Sequence, residues 1–115
     1  MPAVSVIILN YNGRQWIDGC LGAIAAQRDA PPFETLLVDN GSRDDSVKFA
    51  RSKYPDVRVI ENARNLGFAA GNNAGARHAS GEWLAFLNND TAADRAWLAR
   101  LWAESRQQPL CGIVT

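Results

Sequence analysis

Two aspartates in this sequence follow apolar runs, in positions where a carboxylate can bind ligands. Asp39 directly follows the run at residues 35–38, and Asp90 follows the run at 83–87 after two asparagines. At the end of a strand, a carboxylate can accept hydrogen bonds from ribose hydroxyls or a base N–H. It can also bind Mg²⁺ or Mn²⁺, with phosphate oxygens and water completing the shell. For Asp90, the alternative to metal binding is a role in a turn or as a helix cap.

Asparagines surround both aspartates and add amide donors and acceptors without charge. They occur as Asn10 and Asn12 after the first apolar run, Asn40 after Asp39, and Asn88 with Asn89 before Asp90. Any one of these segments could be an ordinary polar turn. Together with Glu61-Asn62 after a further run, they predict that polar groups collect at one edge of a sheet.

Three glycines at a spacing of four follow the third run. If residues 68–79 form a helix, Gly67, Gly71 and Gly75 leave a bare stripe on it. Such a stripe lets the helix approach a sheet or a ligand closely. Packing against the sheet is the favoured interpretation, and ligand contact stays open. Neither GxGxxG nor GxxxxGK[ST] occurs in the sequence.

The elements that must position these residues alternate along the chain. Apolar runs predict strands at 3–9, 35–38, 57–60 and 83–87, with a fifth beginning at 112–114. Helical spacing predicts helices at 15–27, from about 45 to 54, at 68–79, and after Asp94. Trp16 is among the residues of the first stripe that we expect to be in the core. This order predicts a three-layer α/β/α fold with a mainly parallel sheet, and ligands bind such sheets beyond the carboxyl ends of the strands.

Composition excludes several classes of protein. The 115 residues fit one domain, and 12 basic residues balance 12 acidic ones, so no basic field attracts nucleic acid. No apolar run approaches the roughly 20 residues of a spanning helix. Cys20 and Cys111 form no CxxC pair, and His78 is the single histidine, which disfavours a histidine-rich metal cluster. These features favour a cytoplasmic protein with reduced thiols.

Five segments, in order along almost the whole chain, resemble family 2 glycosyltransferases. They are VSVIILNYN at 4–12, VDNGSRD at 38–44, NLGFAAGNN at 65–73, ASGE at 79–82 and LNND at 87–90. The second is similar to the V-D-[DN]-x-S-x-D segment of that family. The last stands where the family carries D-x-D or a variant of it.

The resemblance implies a GT-A fold and inverting transfer of a sugar from a nucleotide diphosphate sugar. It implies that Tyr11 and Asp39 contact the nucleoside, that Asn88 lies near the ribose or sugar, and that Asp90 binds Mg²⁺ or Mn²⁺. Asn88 replaces an acidic residue, which should lower the affinity for the metal. The full set expected to bind the nucleotide sugar is Asn10, Tyr11, Asn12, Asp39, Asn40, Gly67, Asn88 and Asn89.

The resemblance also implies a longer enzyme, of which residues 1–115 are the N-terminal, donor-binding part. The family's general base should then lie beyond Thr115, and the chain alone should transfer little sugar. The acceptor would be a growing glycan or a lipid-linked saccharide in cell wall or polysaccharide biosynthesis, with the full-length protein at the inner face of the membrane. The amino-acid sequences of residues 65–73 and 88–91 look most like those of the rhamnosyltransferase-type branch. We also expect self-association through residues 110–115 and the adjoining sheet.

Two other classes of function stay open at this point. One is a non-catalytic nucleotide-binding or assembly module. The other is a Rossmann-like dinucleotide-binding domain, which would also use Asp39 on a ribose but should carry a glycine-rich turn after its first strand. The turn here is Asn10-Tyr11-Asn12-Gly13.

Overall fold

The computed structural model describes residues 1–107 and 112, in which four parallel strands form one sheet. The strands are β1 (Val4–Asn10), β2 (Phe33–Asp39), β3 (Arg58–Glu61) and β4 (Trp83–Asn88), in the order β3-β2-β1-β4. The helices are α1 (Arg14–Ala25), α2 (Ser46–Lys53), α3 (Phe68–Ala76) and α4 (Trp97–Gln107). The expected fifth strand and the expected self-association segment fall on 110–115, of which only Gly112 is described.

The strand order reverses between β1 and β4, and this reversal explains where the helices lie. The chain moves outward from β1 to β2 to β3 and then crosses back to the other side of β1. Because parallel crossovers are right-handed, α1 and α2 cover one face of the sheet and α3 covers the other. The reversal also creates a crevice beyond the carboxyl ends of β1 and β4, the usual ligand position in open sheets of this kind.

The main core lies between the sheet and the helices α1, α2 and α4 on one of its faces. This core includes Val6 and Ile8 of β1, Ile17 and Leu21 of α1, and Leu98 of α4. The expected placement of Trp16 in the core is wrong, because its side chain is 49% exposed. Consecutive helical residues point about 100° apart, so Trp16 lies beside the buried stripe that Ile17 belongs to.

On the opposite face, α3 lies directly on β1 and β2. A Cβ at Gly71 would lie 2.7 Å from Cδ1 of Leu9, and a Cβ at Gly75 would overlap Val38. These two glycines therefore serve helix packing, as the favoured interpretation predicted. Gly67 differs: a Cβ there would meet nothing within 4 Å, and its φ of +85° suits glycine instead.

Strand β4 is covered unevenly. Leu84 and Phe86, on the side of α3, are 42% and 49% exposed, because α3 packs on β1 and β2 and does not reach across β4.

Within residues 1–107 and 112, no helix combines the length and the apolar character needed to cross a bilayer.

Several element ends differ from the sequence prediction. β1 and β2 each run on to a polar residue, because the parallel ladder pairs Asn10 with Asp39 after the apolar residues end. α3 stops at Ala76 and not at 79, where tighter backbone bonds from His78 to Gly75 and from Ala79 to Ala76 close its last turn.

Candidate functional site

The carboxyl ends of β1, β2 and β4 meet at one rim of the sheet. Asn10 pairs with Asp39 across β1 and β2, and Leu9 pairs with Asn88 across β1 and β4. Asp90 follows β4 by two residues. Asp39 and Asp90 therefore lie at the same edge of the sheet, on either side of β1, as their positions after the strands predicted.

Asn10 joins these strand ends through its side chain. Its Nδ2 donates to Oδ1 of Asp39 at 3.0 Å and to Oγ of Ser46 at 2.9 Å. Its Oδ1 accepts from Nδ2 of Asn89 at 2.9 Å. Asn10 is fully buried, and Gly13 makes the arrangement possible because a Cβ there would overlap the bonded atoms of Asn10 and Asn89.

The carboxylate of Asp39 is held rigidly within this network. It is 2% exposed and accepts bonds from the backbone N–H of Ser42 at 2.8 Å and from the Ser42 hydroxyl at 2.6 Å, besides the bond from Asn10. A carboxylate has about four lone-pair positions. Asp39 therefore keeps the capacity to accept a further bond while its direction is fixed.

The loops after β1 and β2 are also pinned together by Asn12 and Asp44. Oδ1 of Asn12 accepts from the backbone N–H of Arg43 at 2.8 Å, and Asn12 adopts a left-handed conformation with φ of 50° that asparagine tolerates. Oδ2 of Asp44 accepts from the N–H of Arg14, the first residue of α1, at 3.0 Å. Its other oxygen accepts from Ser46, the first residue of α2.

Hydrogen bonding lowers the pKa of Asp44 below its usual value. Desolvation by burial acts in the opposite direction, but the donors on Ser46 and Arg14 outweigh it. Asp44 is therefore ionised at neutral pH, and its charge lies at the N-termini of α1 and α2, where helix dipoles favour an anion.

Asn40 holds the next loop along the rim. It is 2% exposed, its Nδ2 donates to the carbonyl of Gly67 at 3.1 Å, and its Oδ1 accepts from Asn62 at 2.9 Å. The sharp turn at Gly67, which the positive φ allows, leads the chain into α3. Asn40 and Gly67 thereby set the position of the N-terminus of α3 at the rim.

The β4 side of the rim is more open. Asn88 and Asp90 are exposed, and their side chains form no hydrogen bond with any residue in the described part of the chain. A cavity of about 200 Å³ lies here, lined by Leu9, Phe68, Asn72, Phe86, Leu87, Asn88, Asn89 and Asp90. Tyr11, on the β1 loop, is 48% exposed.

Cys20 lies beneath this side of the rim and is chemically quiet. Burial, followed by the negative charge of Asp90, raises the pKa of its thiol to about 11. Its Sγ lies 3.7 Å from the backbone oxygen of Asn88. The thiol therefore stays protonated at neutral pH and packs as a small apolar group.

The acidic groups in the described residues form no cluster of three that could enclose a metal ion by themselves. Mg²⁺ commonly uses one or two protein carboxylates and takes its remaining ligands from phosphate and water. An exposed carboxylate at Asp90 beside the amide of Asn88 fits that pattern, provided that a phosphorylated ligand supplies the other oxygens.

Sequence reasoning did not identify four residues that build the site. Ser42, Ser46 and Gly13 hold the network around Asn10, and Asn72 lines the cavity. The S-x-D part of the 38–44 segment was a signal for Ser42 and Asp44, whereas nothing local distinguishes Asn72 from Asn73.

Comparison with known proteins decides the family. The family model "Glycosyl transferase family 2" matches residues 5–114. The chain belongs to this family. It is 36% identical over 104 residues to the glycosyltransferase AglE of Haloferax volcanii, and the match covers 87% of this chain and 34% of that protein.

Solved structures of glycosyltransferases share the fold. TarS residues 1–349 of S. aureus, in complex with UDP-GlcNAc, match with a TM-score of 0.83 at 27% identity, over 93% of this chain and 32% of that one. The mannosyltransferase PcManGT of Pyrobaculum calidifontis, in complex with GDP-Man and Mn²⁺, matches with a TM-score of 0.74 at 30% identity, over 85% and 32%. The family 2 chain described here therefore has the GT-A fold, and it spans about a third of the length of these relatives.

Proposed function

We propose that this chain is the nucleotide-sugar-binding part of a glycosyltransferase that transfers a sugar, with inversion, from a nucleoside diphosphate to an acceptor. The acceptor class is a growing glycan or a lipid-linked saccharide. The observation that carries the proposal is the rim itself. A buried, oriented carboxylate at Asp39 and an exposed one at Asp90 lie on either side of the end of β1, in a chain of family 2.

The nucleoside would bind on the β2 side of the rim. Asp39 would accept a bond from a base N–H or a ribose hydroxyl, and the bonds from Asn10 and Ser42 keep its carboxylate in one orientation before the ligand arrives. The exposed ring of Tyr11 offers a surface on which a base can stack. Preorganisation of this kind lowers the cost of binding.

The diphosphate would bind on the β4 side. Asp90 would hold a divalent cation against the phosphate oxygens, with the Asn88 amide directed to the ribose or the sugar. A cation bound there neutralises the charge that develops on the departing nucleoside diphosphate. With an amide at Asn88 the chain supplies one carboxylate at this position, so metal affinity should depend strongly on the phosphates.

The remaining site residues would act by positioning. The side-chain amides of Asn10, Asn40 and Asn89 form hydrogen bonds with other protein groups. Asn12 fixes the backbone of the 42–44 loop. Gly67 supplies the turn that starts α3. Their proposed part in binding is to hold the loops that contact the nucleotide sugar.

One structural observation disfavours the dinucleotide-binding alternative. Rossmann-type domains place a pyrophosphate at the N-terminus of the first helix. Here the carboxylate of Asp44 already accepts from the N–H of Arg14 at that position. Its negative charge would repel a phosphate group there.

Calorimetry tests the proposal. Binding of UDP, TDP, GDP and NAD is measured with and without Mn²⁺, in the native chain and in Asp90→Ala. We expect one nucleoside diphosphate to bind, Mn²⁺ to strengthen its binding, and Asp90→Ala to remove that gain. An equal Mn²⁺ effect in the variant would exclude Asp90 as the metal ligand, and preference for NAD would overturn the proposal.

The donor sugar and the self-association of the chain are finer parts of the proposal. The resemblance to the rhamnosyltransferase-type branch makes TDP-rhamnose a donor to include beside UDP- and GDP-sugars. The exposed Leu84 and Phe86 on β4 support association through that edge of the sheet. Sedimentation at micromolar concentration should show a dimer or larger species that Leu84→Lys disrupts; a stable monomer would contradict it.

A further inference from the structure

The amino end of the sheet, opposite the rim, contains a carboxylate that the proposed function does not use. Glu34 lies near the start of β2, and its side chain is 18% exposed. Its Oε2 accepts from the hydroxyl of Ser5 at 2.5 Å and from the backbone N–H of Ser80 at 2.6 Å. Its Oε1 lies 3.5 Å from Nη1 of Arg58, which also donates to the carbonyl of His78 at 2.9 Å. Glu34 therefore connects three strands with the segment between α3 and β4.

The charge of Glu34 strengthens these connections. Desolvation by burial alone would raise the pKa of Glu34, but the bonds from Ser5 and Ser80 and the charge of Arg58 together lower it. Glu34 is therefore ionised at neutral pH. Hydrogen bonds to an ionised acceptor are about twice as strong as those between neutral groups, so a neutral side chain would hold the same partners less firmly.

The bonds around Glu34 fix the backbone just before β4. Besides the N–H of Ser80, the N–H of Gly81 is held, because it donates to Oγ of Ser5 at 2.8 Å. A Cβ at Gly81 would lie 2.5 Å from the backbone nitrogen of Ser5, so this segment runs directly against β1. β4 begins two residues later, at Trp83.

β4 depends on such anchoring because side-chain packing holds it weakly. Within the described residues it is an edge strand paired with β1 alone, and none of its six residues is fully buried. In β1, six of the seven residues are buried. Polar bonds therefore take a larger share in placing β4. They are the bonds around Glu34 at its amino end and the bond from Asn89 to Asn10 at its carboxyl end.

We propose that Glu34 is a positioning residue: by fixing the start of β4, it sets where Asp90 lies at the rim and thereby how much a metal ion strengthens nucleotide binding. The inference rests on the proposed function, since Asp90 is a metal position only there. A strand is nearly fully extended, so it cannot absorb a displacement at its start, and the displacement reaches Asn88 at its end. An error of about 1 Å is enough to weaken a site that depends on geometry. β2 is held by five buried residues, so Asp39 should keep its place.

Glu34→Gln keeps the size of the side chain and removes its charge. Calorimetry with the full chain measures the affinities of UDP, TDP and GDP with and without Mn²⁺. For the diphosphate that binds tightest, we expect the gain from Mn²⁺ to fall about threefold to tenfold, less than the roughly 10- to 100-fold loss typical of changing a group bonded to a metal ligand. Affinity without Mn²⁺ should change by less than about twofold, because sites that share no partners act independently. Equal losses with and without Mn²⁺ would overturn the proposal.

A double variant separates positioning from a general weakening of the fold. In Asp90→Ala the gain from Mn²⁺ is expected to be absent, so the addition of Glu34→Gln should not weaken nucleotide binding further. The same loss in both backgrounds would show that Glu34 acts on the whole fold and not through Asp90. Glu82→Gln is the matched control, because it makes the same exchange at an exposed residue just before β4 and should retain the native gain.

Hydrogen exchange tests the anchoring without a ligand. In Glu34→Gln, the N–H groups of β4 that bond to β1 should exchange at least about threefold faster, and those at 36–39 should keep their native rates, since exchange follows local stability. Unchanged exchange in β4 would overturn the proposal.

A second variant covers the case in which Glu34→Gln does not fold. Ser5→Ala removes the hydroxyl that links Glu34 to Gly81 and puts a small apolar side chain at a buried position, so it should fold and shift both measurements in the same direction. Binding by the native chain without any gain from Mn²⁺ would overturn the role of Asp90 and this proposal with it. A native chain that binds none of the three diphosphates would instead overturn the proposed function.

Discussion

The two halves of the rim differ in how completely they are built. On the β1–β2 side, Asn10, Asp39 and Asp44 take part in a continuous set of hydrogen bonds that fixes the loops at 10–14 and 39–46. On the β4 side, Asn88 and Asp90 present exposed side chains without such bonds in the described part of the molecule. The side-chain bond from Asn89 to Asn10 connects the halves, in addition to the backbone ladder between β1 and β4.

This difference matches the ligand groups assigned to each half. A nucleoside is the same rigid group before and after transfer, so a prebuilt site binds it at low entropic cost. The charge and geometry of the diphosphate change as the sugar leaves, and protein side chains that form no other hydrogen bond can adjust to that change. We call the β1–β2 side the built half and the β4 side the open half. Substitutions in the built half should therefore affect stability, and substitutions in the open half should affect binding.

The largest effect is expected for Asn10→Ala. It removes three well-formed side-chain bonds and leaves Asp39 buried with Ser42 as its remaining donor, so the free energy of unfolding should fall by about 2–4 kcal/mol. Denaturant unfolding measures it. Asn88→Ala is the matched control on the open half and should change stability by less than about 0.5 kcal/mol. Similar losses for both variants would remove the distinction between the halves.

A smaller loss is expected for Gly13→Ala. The added methyl group would overlap Oδ1 of Asn10 and Nδ2 of Asn89, so it should separate the halves at a cost of about 1–3 kcal/mol. Gly19→Ala, in the same helix-forming segment with nothing within 4 Å of the new atom, should stabilise by up to about 1 kcal/mol. Thermal unfolding of the two variants in opposite directions is the expected result; a loss in both would point to a general effect of alanine.

The third prediction concerns how the stability of the built half changes at acid pH. The pKa of Asp44 is lower in the folded chain than in the unfolded one, so its contribution to stability is complete above the unfolded value of about 4. The contribution disappears as the pH falls through the folded value. Asp44→Asn should lower stability at pH 7 by about 1 kcal/mol, as for a lost cap, and flatten the acid part of the stability profile. Equal profiles for Asp44→Asn and the native chain would exclude the effect.

The smallest effect on stability is expected for Asp90→Ala. The carboxylate is exposed and bonds to no described residue, so the free energy of unfolding should change by less than about 0.5 kcal/mol. The same variant should lose the Mn²⁺-dependent part of nucleotide binding. Destabilisation above 1 kcal/mol would show that the open half is structural after all.

Much of the fold could be predicted from local pattern. Apolar runs predicted the four strands that the structure describes. The spacing of three glycines predicted close packing of α3 on the sheet, and this holds for Gly71 and Gly75. The wrong placement of Trp16 in the core has a physical reason. Spacing shows which residues share a face of a helix, but it does not show whether another element covers that face.

The sequence by itself determined the elements, their order and the rim on which the polar residues collect, because hydrophobic periodicity and right-handed crossovers act through the chain's local order. Only the tertiary structure decided which of these polar residues would form hydrogen bonds with one another. Asn10 bonds Asp39, 29 positions away, and Asn89, 79 positions away. Asn72 and Asn73 are adjacent and chemically identical, yet packing buries one beside a cavity and leaves the other in solvent. Hydrogen bonds and burial depend on distances in space, and these are set when the sheet and its helices assemble.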